Sequence, residues 1–121
     1  MKLHVLVVDD NAMLLRNVKN ILETEYSVSV AASGIQAIMS IQKKKPNLIL
    51  LDYEMPGMDG EELIKIIQRE AEWKDIPIVF LTSASDKEIV TSLLSYRPAG
   101  YLLKPAERNA LLEKVRENIR Y

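Results

Sequence analysis

The sequence predicts an α/β domain in which a five-stranded parallel sheet carries helices on both faces. Three observations lead there. Strand-like runs alternate five times with segments whose apolar residues recur at helical spacing. Such strict alternation implies right-handed crossovers and a parallel sheet. Three of the runs, residues 5–8, 48–51 and 78–81, are apolar without a break, as in strands buried on both faces. Each of these three stops abruptly at polar residues: Asp9 and Asp10, Asp52, and Thr82 with Ser83.

Taken in order, the run 5–8 is the first strand, and residues 11–24 form a helix with Leu14, Leu15, Val18, Ile21 and Leu22 on one face. Residues 27–30 alternate serine with valine, which fits a strand open to water on one side and hence an edge. Ser33 and Gln36 have capping-box spacing and open a helix carrying Ala37, Ile38 and Ile41, which Pro46 ends. The third strand, 47–52, delivers Asp52 to its carboxyl end. A turn rich in Pro and Gly follows, and Asp59 with Glu62 three residues on starts a helix that buries Leu63, Ile64, Ile67 and Ala71. Pro77 opens the fourth strand, where its missing N–H matters least. Ser85 and Glu88 repeat the capping-box spacing ahead of a helix with Ile89, Val90, Leu93 and Leu94 inward. Residues 101–103 make a short last strand ending at Lys104 and Pro105, and a helix from 106 to about 119 turns Leu111, Leu112, Val115 and Ile119 inward. With strands one, three and four central, the order is 2-1-3-4-5, a flavodoxin-like (βα)5 three-layer sandwich.

Length and composition bound the function. The 121 residues suffice for one domain with one core. There is no cysteine, so disulfides, thiolate metal sites and cysteine nucleophiles are excluded. No secretion signal is visible, and nothing approaches the roughly 20 apolar residues of a membrane helix, so a cytoplasmic protein is expected. A net charge of −1 argues against a nucleic-acid surface. The one basic run, Lys43 to Lys45, falls at a helix end, where cations suit the dipole.

In a parallel sheet all carboxyl ends of the strands share one edge. Asp9 and Asp10, Asp52, Thr82 and Lys104 each close a different strand, so they converge there. Clustered carboxylates are costly unless a cation sits among them, and carboxylates with carbonyls and water are the ligands Mg²⁺ prefers. A carboxylate can itself attack a phosphoryl group. Phosphoryl transfer asks mainly for positioning and charge neutralisation, which a metal, the Lys104 ammonium, the Thr82 hydroxyl and backbone N–H groups supply. Asp52, taken at the ordinary carboxylate pKa of ~4, needs no activating base.

Over essentially its whole length the chain resembles the receiver domains of two-component response regulators, in particular the chemotaxis-regulator type. The resemblance rests on Val7-Val8-Asp9-Asp10, on Asp52-Tyr53-Glu54-Met55-Pro56-Gly57-Met58-Asp59-Gly60, on Phe80-Leu81-Thr82-Ser83-Ala84 and on Gly100-Tyr101-Leu102-Leu103-Lys104-Pro105. It implies that Asp52 accepts a phosphoryl group from a sensor-kinase phosphohistidine. Asp10, Asp52 and the Glu54 carbonyl would ligate Mg²⁺, with Mn²⁺ as a substitute, and Asp9 would act from one layer further out. Lys104 and the Thr82 hydroxyl would meet the phosphoryl oxygens, joined by the backbone N–H groups of Glu54 and Ser83. Thr82 and Tyr101 would form the switch, and Lys104-Pro105 a cis peptide. The partners implied are a sensor histidine kinase or phosphotransfer protein, a downstream protein or fused output domain, and a phosphorylation-dependent homodimer. Membrane and direct nucleic-acid contact are not implied. The domain would catalyse only its own phosphorylation and dephosphorylation.

The chain departs from the family between the fourth helix and fifth strand. Tyr96-Arg97-Pro98 precedes Ala99 and Gly100 where receivers usually carry a small Gly-Ala pair. A non-glycine residue there disfavours a left-handed cap, so Pro98 is expected to fix the turn instead. Glu54 and Ala84 flank the acceptor, where neighbours tune phosphoryl lifetime. His4 and Trp73 fall toward the opposite end of the sheet, and Met55 and Met58 are expected to pack against the turn. Two other classes fit less well. A haloacid-dehalogenase-like phosphatase carries its aspartate nucleophile on the first strand, and a flavodoxin-like cofactor binder needs a phosphate-cradling loop where Asp9 and Asp10 stand. A pseudo-receiver that only binds partners would not keep the whole site.

Overall fold

The computed structural model of the protein describes residues 2–55, 57–83, 87–104 and 107–121. Its elements run β1 (His4–Val8), α1 (Ala12–Leu22), β2 (Ser27–Ala31), α2 (Gly34–Lys43), β3 (Leu48–Asp52), α3 (Gly60–Arg69), β4 (Ile78–Ser83), α4 (Lys87–Leu94), β5 (Gly100–Lys104) and α5 (Arg108–Asn118). All pairings are parallel and the order is β2-β1-β3-β4-β5, as the alternation predicts.

Period-two alternation sends successive strand residues to opposite faces, and the two faces make two cores. Leu6, Val8, Ile49, Leu51, Ile78 and Phe80 face α2, α3 and α4, meeting Ala37, Ile41, Leu63, Ile64, Ile67 and Leu93. Val5, Val7, Leu48, Leu50, Val79 and Leu81 face α1 and α5, meeting Leu15, Val18, Leu22, Leu111, Leu112 and Val115. The central strands β1 and β3 are buried along their whole length, whereas β5 alternates, with Tyr101 and Leu103 exposed.

Helix starts follow the capping chemistry. Asn11 lies outside α1 and caps it, accepting from the N–H groups of Met13 and Leu14. Ser33 Oγ accepts from Gln36 N, while Gln36 Oε1 accepts from Ala32 N rather than from the cap residue itself. Asp59 Oδ1 accepts from Glu62 N at 2.8 Å. Two apolar assignments are overturned. Ala71 is exposed because α3 ends at Arg69, and Leu94 is 55% exposed, since Leu93 beside it takes the inward direction and neighbouring helical residues point ~100° apart. The Ser85 cap and the side chains of Ile89 and Val90 lie outside the described residues.

At the amino-terminal end of the sheet, His4 is buried on the α2 side, its Nδ1 3.0 Å from Ser27 Oγ and its Nε2 2.9 Å from Ser29 Oγ. Burial lowers its pKa, and the Lys44 charge lowers it further. The folded protein therefore binds a proton at His4 less readily than the unfolded chain does. Stability contributed here is present above the ordinary histidine range and is lost as pH falls below ~6.5. His4→Gln is expected to flatten that acid-side slope in urea titrations run between about pH 7 and 5.

The turn after α4 corrects the expectation for Pro98. Arg97 itself takes the left-handed conformation, with φ +52°. The strain is held by neighbours: Gln68 Nε2 donates to Tyr96 O at 2.7 Å, and the Tyr96 hydroxyl donates to Glu61 Oε1 at 2.7 Å. A left-handed non-glycine residue costs roughly 1–2 kcal/mol. Arg97→Gly is accordingly expected to stabilise the fold by about 1 kcal/mol, read as a raised melting temperature.

Candidate functional site

Four strands deliver polar side chains to the carboxyl edge of the sheet: β1 leads into Asp9 and Asp10, β3 ends on Asp52, β4 on Thr82 and Ser83, and β5 on Lys104. The register sets them side by side, with Asp52 opposite Leu81 and Ser83 opposite Lys104. They line one cleft of about 560 Å³, together with Asn11, Glu54 and Asp59.

Lys104 is the centre of the charge arrangement. Its Nζ donates to Asp52 Oδ1 at 2.9 Å and lies 2.7 Å from Asp9 Oδ2. Asp9 is fully buried and Asp52 nearly so. Asp9 Oδ1 accepts from Asn11 N at 2.9 Å, while Oδ2 has the ammonium as a charge partner but makes no hydrogen bond among the described residues. Asp10 is exposed, and one oxygen from each of Asp9, Asp10 and Asp52 falls within 4.8 Å of the others.

Burial pushes the Asp52 carboxyl up to about 6. The Lys104 hydrogen bond opposes that rise, and the charges of Asp9 and Asp10 add to it. The expectation of an ordinary carboxylate is thus corrected: Asp52 is mostly ionised at neutral pH, but with a narrow margin. For Lys104, burial alone would lower the pKa. The paired carboxylates of Asp9 and Asp52, the latter also hydrogen-bonded to it, overcome burial and hold it raised.

Thr82 is buried, and its Oγ1 has no hydrogen-bond partner among the described residues. An unsatisfied buried hydroxyl costs about 1–3 kcal/mol. Ser83 and Glu54 are exposed beside it, and Tyr101 points outward, 45% exposed. Met55 is buried in the α3-side core, and Met58 packs against that core. Pro105 and Ala84, and with Pro105 the expected cis peptide, lie outside the described residues.

Two supporting residues escaped the sequence reading. Asn11 holds Asp9 through its N–H while capping α1; the signal was an Asn directly before a helical apolar pattern. Gly60 begins α3 against the backbone of Asp52 and Tyr53. A Cβ there would lie 2.6 Å from Asp52 O and 2.9 Å from Tyr53 Cα, and Gly60 N donates to Tyr53 O at 2.8 Å. The close approach of two backbones is why glycine stands there, and nothing in sequence spacing shows it.

Fold and site together define a doubly wound α/β domain with a lysine-bridged carboxylate cluster at the carboxyl edge of its sheet. The response regulator receiver domain family matches residues 5–116. DNA-binding response regulator MtrA of Mycolicibacterium paratuberculosis is 31% identical over 121 residues, covering 99% of this chain and 52% of that protein. Sensor histidine kinase TmoS of Ectopseudomonas mendocina is 33% identical over 111 residues, 92% of this chain and 11% of the kinase. The solved structure of Vibrio cholerae chemotaxis protein CheY4 superposes with a TM-score of 0.92 at 29% identity, covering 98% of this chain and 100% of that one. The chain belongs to the response regulator receiver domains, the two-component signalling domains that sensor kinases phosphorylate on aspartate. It spans about half the length of the curated DNA-binding response regulators it matches, 52% for MtrA.

Proposed function

We propose that residues 1–121 form a single receiver domain in which Asp52 is the phosphoacceptor and the neighbouring carboxylates hold Mg²⁺. The observation that carries this reading is one ammonium shared by two buried carboxylates, Asp9 and Asp52, beside a buried hydroxyl with no partner among the described residues. The donor set suits the metal: three carboxylates within 4.8 Å, one of them exposed, in a cleft wide enough to leave water on a hard cation. Asp10, Asp52 and the Glu54 carbonyl would hold it, with Asp9 one layer behind; Mn²⁺ would substitute. When bound, the metal would neutralise the carboxylates and the incoming phosphoryl oxygens.

The chain's own groups account for the rest. The Asp52 oxygen that Lys104 does not engage attacks phosphorus, and an O–P bond forms as the P–N bond of the phosphohistidine breaks. The imidazole nitrogen leaves with the electron pair. Lys104, already hydrogen-bonded to Oδ1, extends to the phosphoryl oxygens. The Thr82 hydroxyl bonds the phosphoryl group, and the N–H groups of Glu54 and Ser83 are further donors. Thr82 moving toward the phosphoryl group makes room for Tyr101 to turn inward, a two-state equilibrium biased by new local charge.

The protein acts on itself rather than turning over a substrate. Its partners are a sensor histidine kinase or phosphotransfer protein, a downstream protein or output domain, and a phosphorylation-dependent second copy. No helix of the described residues is long and apolar enough to cross a membrane, and the reading places the domain in the cytoplasm. Any nucleic-acid contact would belong to another domain.

Intact-protein mass after incubation with Mg²⁺ and acetyl phosphate tests the assignment. One labile phosphoryl adduct is expected on wild type, lost on chelation and absent from Asp52→Asn. An adduct that persists in Asp52→Asn would move the acceptor elsewhere.

A further inference from the structure

The end of the sheet opposite Asp52 carries a second concave site. A cleft of about 170 Å³ opens below β4 and β5, between the α3–β4 connection and the turn after α4. Lys74, Arg97 and Arg120 line it, with Gln68 and Asp75. None of the three cations meets a carboxylate within 4.0 Å among the described residues, although Arg116, Lys65 and Lys19 each do elsewhere on the surface. Three cations against the one carboxylate of Asp75 leave two positive charges uncompensated. All three side chains are exposed at the rim, so an anion entering the concavity would meet them together.

A second observation concerns how one of these cations comes to be there. Arg97 stands in the left-handed region, where glycine would be unstrained. The strain is maintained by the Tyr96 carbonyl bonded to Gln68 and the Tyr96 hydroxyl bonded to Glu61. Gln68 lines the same cleft. The backbone thus accepts a cost of roughly 1–2 kcal/mol at the position that brings a guanidinium to the rim. Backbone outliers held by surrounding structure concentrate at functional sites.

We infer that this cleft binds the phosphate or diphosphate group of a small anionic ligand, through the Arg97 and Arg120 guanidinium forks and the Lys74 ammonium. Guanidinium groups match tetrahedral oxyanions with paired hydrogen bonds, and an ammonium adds a point charge. The cleft is smaller than the ~300 Å³ at which pockets for whole drug-sized ligands begin, so it takes the charged end of its ligand. This site lies apart from the phosphoacceptor, at the other end of β4 and β5.

The test is an amide chemical-shift titration of the whole chain with inorganic pyrophosphate in metal-free buffer. Saturable shifts are expected around residues 74–78 and 97–99. Arg97→Gly should weaken binding about tenfold or more while raising the melting temperature, so the loss would not reflect unfolding. Lys74→Gln and Arg120→Gln should each weaken it as well. Absence of saturation, equal affinity in Arg97→Gly, or shifts confined to Asp52, Thr82 and Lys104 would each overturn the site. Tighter binding of hexaglutamate than of pyrophosphate would overturn it in favour of an acidic protein segment. Phosphatidylcholine vesicles with and without phosphatidic acid separate the two sources of phosphate. Pyrophosphate binding without vesicle binding supports a soluble ligand, and binding to both supports a lipid headgroup.

Discussion

Lys104→Met is expected to slow phosphorylation of the protein by acetyl phosphate by about 10²–10³-fold, the loss typical when one preorganised donor to developing charge is removed. The same substitution should destabilise the metal-free protein at neutral pH. Among the described residues Lys104 is the only cation paired with Asp9 or Asp52, at 2.7 and 2.9 Å, and Asp9 is fully buried. Breaking a buried pair by deleting one partner typically costs 3–5 kcal/mol; Lys104 retains partial exposure, so about 2–3 kcal/mol is the expected loss here. Without the ammonium, the Asp52 carboxyl loses the influence that holds it down and rises further. Two conditions should therefore restore stability: acid, which protonates Asp52, and Mg²⁺, which replaces the missing charge. Urea unfolding of the variant near pH 7, with and without Mg²⁺, reads both. A variant as stable as wild type in metal-free buffer would mean that the two carboxylates do not depend on Lys104.

The fold was legible because its signals are redundant. The unbroken apolar runs in β1, β3 and β4 set the central strands, and a parallel sheet then forces Asp9, Asp52, Thr82 and Lys104 to one edge. No contact had to be known for that step. What escaped was set by tertiary contact rather than by period. Leu94 fits the helical pattern as well as Leu93, but only one of two neighbours can face the core. Ala71 fits the stripe of α3, yet the helix stops at Arg69 before reaching it. Arg97 takes the left-handed turn because Gln68 and Glu61, some thirty residues earlier, clamp Tyr96. Such a clamp leaves no local signature. The carboxyl of Asp52 could be placed from sequence, but its pKa near 6 depends on burial and on Asp9, both properties of the packed site.

That raised pKa has a consequence for stability that runs against intuition about a buried charge pair. The folded protein binds the Asp52 proton more tightly than the unfolded chain does, about 6 against 3.8. Stability from this group is therefore complete below the unfolded value and is lost as pH rises through the folded one. At neutral pH the ionised carboxylate subtracts up to about 3 kcal/mol from the metal-free fold. Asp52→Asn, which keeps an oxygen for Lys104 and removes the charge, should recover most of that and raise the metal-free melting temperature by on the order of 10 °C. The gain should shrink toward about pH 5, where wild-type Asp52 is itself protonated. His4 works in the opposite direction across the same range, since it loses stability on acidification, so the Asp52 contribution is isolated by repeating the comparison in a His4→Gln background. Mg²⁺ should raise the melting temperature of wild type more than that of Asp52→Asn, because binding to the folded state alone stabilises it by mass action. If Asp52→Asn melts at or below wild type without metal, the carboxylate is not strained by its burial. With the gain confirmed, Asp52 is a carboxylate the fold holds ionised at a cost, and a cation bound as proposed would relieve that cost.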